Sequence, residues 1–261
     1  MQPYYEDDRA TLYNADALAV LRELPTASVD ALITDPPYSS GGMVRGDRTQ
    51  AGTHRKYSGT ITEAGQLETF TGDSRDQRAY AYWCALWLAE AARVVRPGGV
   101  AVVFTDWRQL PSTTDALQSG GWVWRGIVPW AKTSYRPQSG RFAAQCEYAV
   151  WGSAGPMPVD HSAPIFPGFF QAAPPRDREH ITQKPLDVMR ELVKIAPEGS
   201  AVLDPFAGSG TTGVAALMEG RSFVGSEMSA HYAEVAAERL RTVKRGHRAE
   251  EGQDALPIGG A

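Results

Sequence analysis

Short apolar strands alternate with helices along this chain, and that alternation predicts an α/β fold: a mainly parallel twisted sheet with helices on both faces. Three observations carry the prediction. Residues 29–34 (Val-Asp-Ala-Leu-Ile-Thr) are short, apolar and β-branched, and stop at a proline pair that cannot continue a strand. Residues 201–204 form a second such run and lead through a glycine-rich turn into a helix. Between them, residues 79–95 keep Tyr82, Leu86, Ala89 and Arg93 in helical register.

The remaining elements follow in order. Residues 11–16 read as a short strand ending on Asp16, and 17–24 as a brief helix with Leu18, Leu21 and Leu24 on one face. Residues 39–78 are rich in Gly, Thr, Arg and Gln with little apolar periodicity, and read as a long mobile loop of a length that signals function or disorder. Pro97-Gly98-Gly99 is expected to end the 79–95 helix. Strands are expected at 100–104, 122–130 and 146–151. The prolines between 152 and 178 mark an irregular excursion, so 131–180 is an insertion in the sheet. A helix over 185–195, a helix from the glycine turn through Met218, a strand at 222–225 and a closing helix over 231–244 complete a single domain spanning 1–244. Residues 245–261 are expected to be a disordered tail.

Composition narrows the function classes. At 261 residues with 43% hydrophobic content, the chain can bury a sizeable core. It lacks the roughly 20-residue apolar stretch that a membrane span requires. The first residues are acidic, unlike a signal peptide. Cys84 and Cys146 are the only cysteines and form no CxxC, which points away from a disulfide framework or a metal site and towards the cytoplasm. The formal charge of −4 argues mildly against nucleic acid. Two strips run against it: Arg45, Arg48, Arg55 and Lys56, and then Arg125, Lys132, Arg136 and Arg141. Local strips of this kind supply phosphate contacts whatever the total charge, although charged loops are also often merely solvated.

Asp35-Pro36-Pro37-Tyr38 lies just outside the carboxyl end of the 29–34 strand, where open α/β sheets hold their chemistry. The prolines fix φ and remove two donors. Asp35 offers a carboxylate that only accepts, Pro36 a free carbonyl and Tyr38 a flat ring, a set suited to gripping a planar group that carries an exocyclic amine. A plain strand-ending turn is the structural alternative.

The run Asp204-Pro205-Phe206-Ala207-Gly208-Ser209-Gly210-Thr211-Thr212-Gly213 contains GxGxxG between a strand and a helix. Its glycines permit tight turning and close approach of a ligand to backbone N–H groups. Glu227 ends the next strand, 19 residues beyond Gly208, and is placed to accept ribose hydroxyls. The absence of a following lysine excludes a P-loop, while the pattern itself leaves the nucleotide open. Asp16 reads equally as a helix cap and as an acceptor for an adenine amine.

Taken together, the DPPY and DPFAGSGTT motifs resemble the beta class of S-adenosylmethionine-dependent amino-group DNA methyltransferases. In that class the target-base motif precedes the cofactor loop, a circularly permuted arrangement of the Rossmann-like methyltransferase fold. The resemblance covers about residues 12–240 and includes Thr182-Gln183-Lys184-Pro185. It implies a cofactor site formed by Asp204, Phe206, Gly208, Ser209, Gly210, Thr211 and Thr212. Glu227 would hold the ribose, Asp16 the adenine, and Thr182 and Lys184 would lie near the methionine end. It further implies catalysis at Asp35, Pro36, Pro37 and Tyr38, double-stranded DNA as partner, a monomer or homodimer, and the cytoplasm of a bacterial cell or a phage-infected host. Family members with Ser at the Asp35 position tend towards cytosine, so the implied product is N6-methyladenine, with N4-methylcytosine as the alternative. A nicotinamide oxidoreductase would leave the DPPY turn unexplained, and a non-catalytic DNA-binding module would need no cofactor loop. RNA-amine or glutamine-side-chain methyltransferases commonly carry Asn in place of Asp35. Neither cysteine follows a proline, so the Pro-Cys nucleophile of ring-carbon cytosine methylases is missing. No separate target-recognition domain stands out, which leaves 39–78 and 131–180 to supply one. Trp107, just past the 100–104 strand, is expected in the core, with a place near the flipped base as the alternative.

Overall fold

The computed structural model describes residues 1–38, 75–135, 139–157, 162–174 and 184–254, with side chains described to residue 243. Among the described residues nine strands form one sheet: β1 (Tyr5–Glu6), β2 (Ala10–Tyr13), β3 (Val29–Thr34), β4 (Val95–Thr105), β5 (Val123–Lys132), β6 (Cys146–Ser153), β7 (Phe170–Ala172), β8 (Ala201–Asp204) and β9 (Ser222–Ser226). Their spatial order is β1-β2-β9-β8-β3-β4-β6-β5-β7. The central run β2-β9-β8-β3-β4 is parallel throughout. β1 pairs antiparallel at one edge, and β6 is antiparallel to both β4 and β5.

Among the described residues six helices cover the two faces: α1 (Ala17–Glu23), α2 (Gln77–Val94), α3 (Leu110–Ser119), α4 (Leu186–Val193), α5 (Thr211–Met218) and α6 (Ala230–Asp254). Strand alternation sorts the core into two layers. Ala31, Ile33, Val100, Val102 and Phe104 pack against Val188, Met189, Ala215, Ala216 and Leu240 of α4, α5 and α6. Leu32, Ala101, Val103 and Leu203 face the other way, onto Leu21, Tyr80, Trp87, Leu88 and Leu117 of α1, α2 and α3.

Several sequence expectations shift here. The register Tyr82–Leu86–Ala89–Arg93 is the outward stripe of α2: Tyr82 is 70% exposed, whereas Tyr80, Cys84, Trp87, Leu88, Ala91 and Val94 are buried. The stretch is apolar almost all round, so spacing alone does not choose its inner face. Pro97-Gly98-Gly99 does not follow the helix as a loop but lies within β4, which begins directly at Val95. Gly98 has φ +81° and donates to the Ala154 carbonyl at 2.7 Å. A Cβ on Gly99 would lie 2.4 Å from the Asp30 carbonyl oxygen, so the glycines allow β4 to bulge against β3, where the register shifts between Val29 and Ala31. The 152–178 excursion contains a further strand, β7, parallel to β5. The last helix runs to Asp254, beyond the residue-244 end expected for it. Among the described residues no helix is long and apolar enough to cross a membrane.

Candidate active site

The winding of the sheet reverses between β8 and β3. From β8 the chain crosses through α5 to β9 on one side, and from β3 it reaches β4 on the other. β3 and β8 are parallel neighbours, with Ala31 opposite Val202 and Leu32 opposite Leu203. Their carboxyl ends therefore lie side by side, at the switch point where such sheets bind ligands. Thr34 Oγ1 donates to Asp204 Oδ1 at 2.6 Å and ties the two loops together. The DPPY turn and the glycine loop, 170 residues apart at that contact, open on one crevice.

On the β8 side, the glycine loop is shaped by its backbone. Gly208 has φ +53° and Gly210 φ +81°, both left-handed. A Cβ on Gly210 would sit 3.0 Å from the Ala236 Cβ, so this glycine also lets α5 approach α6. A Cβ on Gly208 would meet no protein atom within 4 Å. Its amide donates to Glu227 Oε2 at 2.9 Å, and Ser229 N donates to Oε1 at 2.8 Å. Each carboxylate oxygen keeps a second lone pair for a hydroxyl. Burial pushes the Glu227 carboxyl above its ordinary range, against these backbone donors. Asn14, at the end of β2, donates to the Glu227 carbonyl at 2.8 Å and brings the Asp16 turn beside Glu227. The open space at Gly208 next to a half-buried diol acceptor fits an adenosine-bearing cofactor.

Other predicted loop residues have protein partners. Ser209 and Thr211 are buried, and Arg239 of α6 donates to Ser209 Oγ at 3.0 Å and Thr211 Oγ1 at 3.1 Å. Asp204 is buried and accepts from Thr34, from Phe206 N at 3.0 Å and from Thr212. Burial raises its carboxyl to about 6 in spite of these donors. Phe206 packs edge-on against Trp83 and Trp87 of α2, at 5.4 and 5.1 Å between ring centroids. Asp16 is exposed, and its Oδ1 caps α1 by accepting from Ala19 N at 3.0 Å.

On the β3 side lies a cluster of charges that the sequence reading did not assemble. Lys184, only 4% exposed, donates to Asp35 Oδ2 and to Glu147 Oε2, the latter at 3.1 Å. Its ammonium lies 5.3 Å from the Tyr38 ring centre and 5.0 Å from that of Phe104. Tyr38 Oη donates to Asp35 Oδ1 at 2.5 Å and lies 3.2 Å from Glu147 Oε2. Lys132, at the carboxyl end of β5, pairs with Glu147 Oε1. Two carboxylates and two ammoniums cancel, which is how charge survives this far from water. The two acids are nonetheless unequal. Burial pushes the Asp35 carboxyl up, and the Glu147 charge adds to that shift while Lys184 and Tyr38 oppose it. Glu147 is partly buried too, but Lys184 and Lys132 together hold it down at about 2. Lys184 is itself raised, because attraction to both acids outweighs the loss of water.

Glu147 is the residue that sequence reasoning missed. It sits near the start of the antiparallel strand β6, and the pairing of Thr105 with Tyr148 brings it to the carboxyl end of β4. Its one sequence signal is a lone acid in an apolar strand. Asp30 gives the same signal in β3, yet it accepts from Ala201 N at 2.7 Å and pairs with Arg96 at 2.5 Å at the opposite end of the sheet. Lys184 lies on the DPPY carboxylate, and Lys132 is committed to Glu147 instead of a basic surface strip. Arg141 is exposed. Arg45, Arg48, Arg55, Lys56, Arg136 and Thr182 lie outside the described residues. Trp107 is not in the core: it is 53% exposed beyond β4, with the Arg108 guanidinium 4.9 Å from its ring centre. Among the described residues no three His, Cys, Asp or Glu side chains are grouped to hold a metal.

Comparison with known proteins decides the family. The N6/N4 methyltransferase family model, described as DNA methylase, matches residues 29–162 and 161–238. The chain belongs to this DNA methylase family. Among curated methylases, it is 26% identical over 260 residues to type II methyltransferase M2.LlaDCHI of Lactococcus lactis subsp. cremoris, covering 92% of each chain. Among solved structures, the M1.HpyAVI–SAM complex superposes with a TM-score of 0.63 at 25% identity, over 88% of this chain and 98% of that one. The cytosine-N4-specific PvuII DNA methyltransferase shares the methylase fold, with a TM-score of 0.66 at 18% identity over 95% of this chain and 94% of that one.

Proposed function

We propose that this DNA methylase transfers a methyl group from S-adenosylmethionine to the N6 amine of an adenine flipped out of double-stranded DNA. The observation that carries the reading is the side-by-side placement of the Asp35 turn and the Gly208 loop at one switch point, tied by Thr34 and Asp204. The DPPY tetrapeptide followed late in the chain by the glycine loop supports a circularly permuted, beta-class arrangement.

Bound in the crevice, S-adenosylmethionine supplies an electrophilic methyl on a sulfonium. Glu227 accepts the ribose hydroxyls, the Gly208 backbone lets the ligand approach closely, and Asp16 on the adjacent turn accepts from its adenine. Ser209, Thr211 and Thr212 act through the backbone they brace, since their side chains have protein partners. An adenine amine is a poor nucleophile because its lone pair is delocalised into the ring. Asp35 and the Pro36 carbonyl accept from its two N–H groups, favour a pyramidal nitrogen and aim its lone pair at the methyl. These hydrogen bonds strengthen as positive charge develops on nitrogen, so they act on the transition state more than on the ground state. Flipping the base costs a few kcal/mol, and stacking on Tyr38 returns about 1–3 kcal/mol. Arg141, with the basic residues outside the described segments, supplies phosphate contacts.

Asp at the head of the tetrapeptide favours adenine over cytosine. Mass spectrometry of nucleosides from DNA incubated with the protein and S-adenosylmethionine tests this. The expected product is N6-methyladenine, and N4-methylcytosine without it would refute the base assignment while leaving the reaction class intact.

A further inference from the structure

Both oxygens of Asp35 have donors in this structure: Tyr38 Oη at 2.5 Å on Oδ1 and the Lys184 ammonium on Oδ2. A target amine must displace or share with one of them. Both donors have the same second acceptor, Glu147 Oε2, at 3.2 Å from Tyr38 Oη and 3.1 Å from Lys184 Nζ. The other Glu147 oxygen is fixed by Lys132. One carboxylate oxygen on β6 therefore stands ready to receive whatever leaves Asp35.

We infer that Glu147 is a positioning residue for the target-amine site, drawing the Tyr38 hydroxyl and the Lys184 ammonium off Asp35 as the base arrives. The inference rests on the reading of Asp35 as the acceptor for the target amine. No bond is made or broken in the exchange; two hydrogen-bond donors pass from one carboxylate to another. The total charge of the cluster is unchanged, and Lys184 already pairs with both carboxylates, so its ammonium has only a short way to move in a site of low dielectric. Lys184 and Lys132 together keep Glu147 ionised, so Oε2 accepts without carrying a proton. Release of its hydroxyl from Asp35 also lets the Tyr38 ring turn to lie against the incoming base. Without Glu147, both donors would stay on Asp35 and compete with the substrate.

The test uses the full chain, plasmid DNA from a methylation-deficient host and labelled S-adenosylmethionine. Glu147→Gln keeps the shape but holds an ammonium weakly. It is expected to lower kcat by about tenfold or more, the cost of one charge-assisted hydrogen bond, with cofactor Kd unchanged within about twofold. Glu147→Asp, which retains the charge, is expected to fall between this variant and wild type, and decides the matter if Glu147→Gln does not bind cofactor. Adding Tyr38→Phe to Glu147→Gln removes one competing donor and is expected to recover kcat severalfold, a gain that a merely structural role for Glu147 would not produce. Wild-type kcat in Glu147→Gln, wild-type kcat in Glu147→Asp, or a further loss on adding Tyr38→Phe would each overturn the inference while leaving the methylase reading in place. Absence of transfer to DNA by the wild-type chain would overturn both.

Discussion

At the scale of single residues, the account turns on which carboxylates are charged. Asp35 must be ionised to accept from an amine, and burial raises its pKa above the ordinary aspartate value. The accepting form is therefore present above that raised pKa and lost as pH falls through it. The acid limb of the pH–kcat profile is expected at higher pH than an exposed aspartate would give, and a limb at or below the ordinary aspartate value would contradict this assignment. In the proposed site Glu227 works by contact. Glu227→Ala removes hydrogen bonds worth about 1.5–3 kcal/mol each, so S-adenosylmethionine Kd is expected to rise at least tenfold in a calorimetric titration. Unchanged affinity would take Glu227 out of the site. Individual residues also mark where reading from sequence stopped. Asp35, Gly208 and Glu227 were legible because each follows a strand in a local pattern. Glu147 was not, because its importance comes from the pairing of β6 with β4 and from contact with Lys184, which no local pattern records. Asp16 shows the reverse: its capping bond to Ala19 N is local and was legible from the sequence.

At the scale of elements, the turn between β8 and α5 is the most constrained piece. Gly210 carries both a left-handed φ and a close approach to Ala236 of α6. Gly210→Ala is expected to cost about 1–2 kcal/mol from the backbone alone, with more from the contact. The measurable result is a lower Tm together with weaker cofactor binding; an unchanged Tm would contradict the packing argument. The central strands were recognisable in the sequence as continuous apolar runs, because parallel strands buried on both faces carry little else. The edge strands β1 and β7, two and three residues long, carry too short a pattern to be seen. The inner face of α2 was not legible in the sequence, because its aromatic residues lie on both sides, and only packing beneath the sheet selects Tyr80, Trp87 and Leu88.

At the scale of the whole molecule, stability is tied to the site through Asp204. Its carboxyl is raised to about 6 from 3.8 because burial outweighs the Thr212, Thr34 and Phe206 donors. The folded state therefore holds this proton more tightly than the unfolded chain does. The group costs nothing below about pH 4. It progressively destabilises the fold as pH rises towards about 6, and its full cost, on the order of 3 kcal/mol, applies above that. Asp204→Asn, which keeps an acceptor for Thr34, is expected to be stabilised relative to wild type by several degrees in Tm at pH 7–8, at roughly 2–4 °C per kcal/mol. The difference is expected to shrink towards pH 4, and a gap independent of pH would contradict this account. Such a cost is tolerable in a molecule whose sheet is covered on both faces, and it falls where two loops must be held together.

That meeting of loops is the central claim, and single-turnover transfer of a labelled methyl to DNA, at saturating S-adenosylmethionine, tests it most directly when wild type and Asp35→Ala are compared. The account predicts incorporation into a base amine by the wild-type chain and a loss of about a thousandfold or more in Asp35→Ala, the order expected for removing a preorganised transition-state acceptor. Near-wild-type incorporation by Asp35→Ala, or none by the wild-type chain, would contradict it.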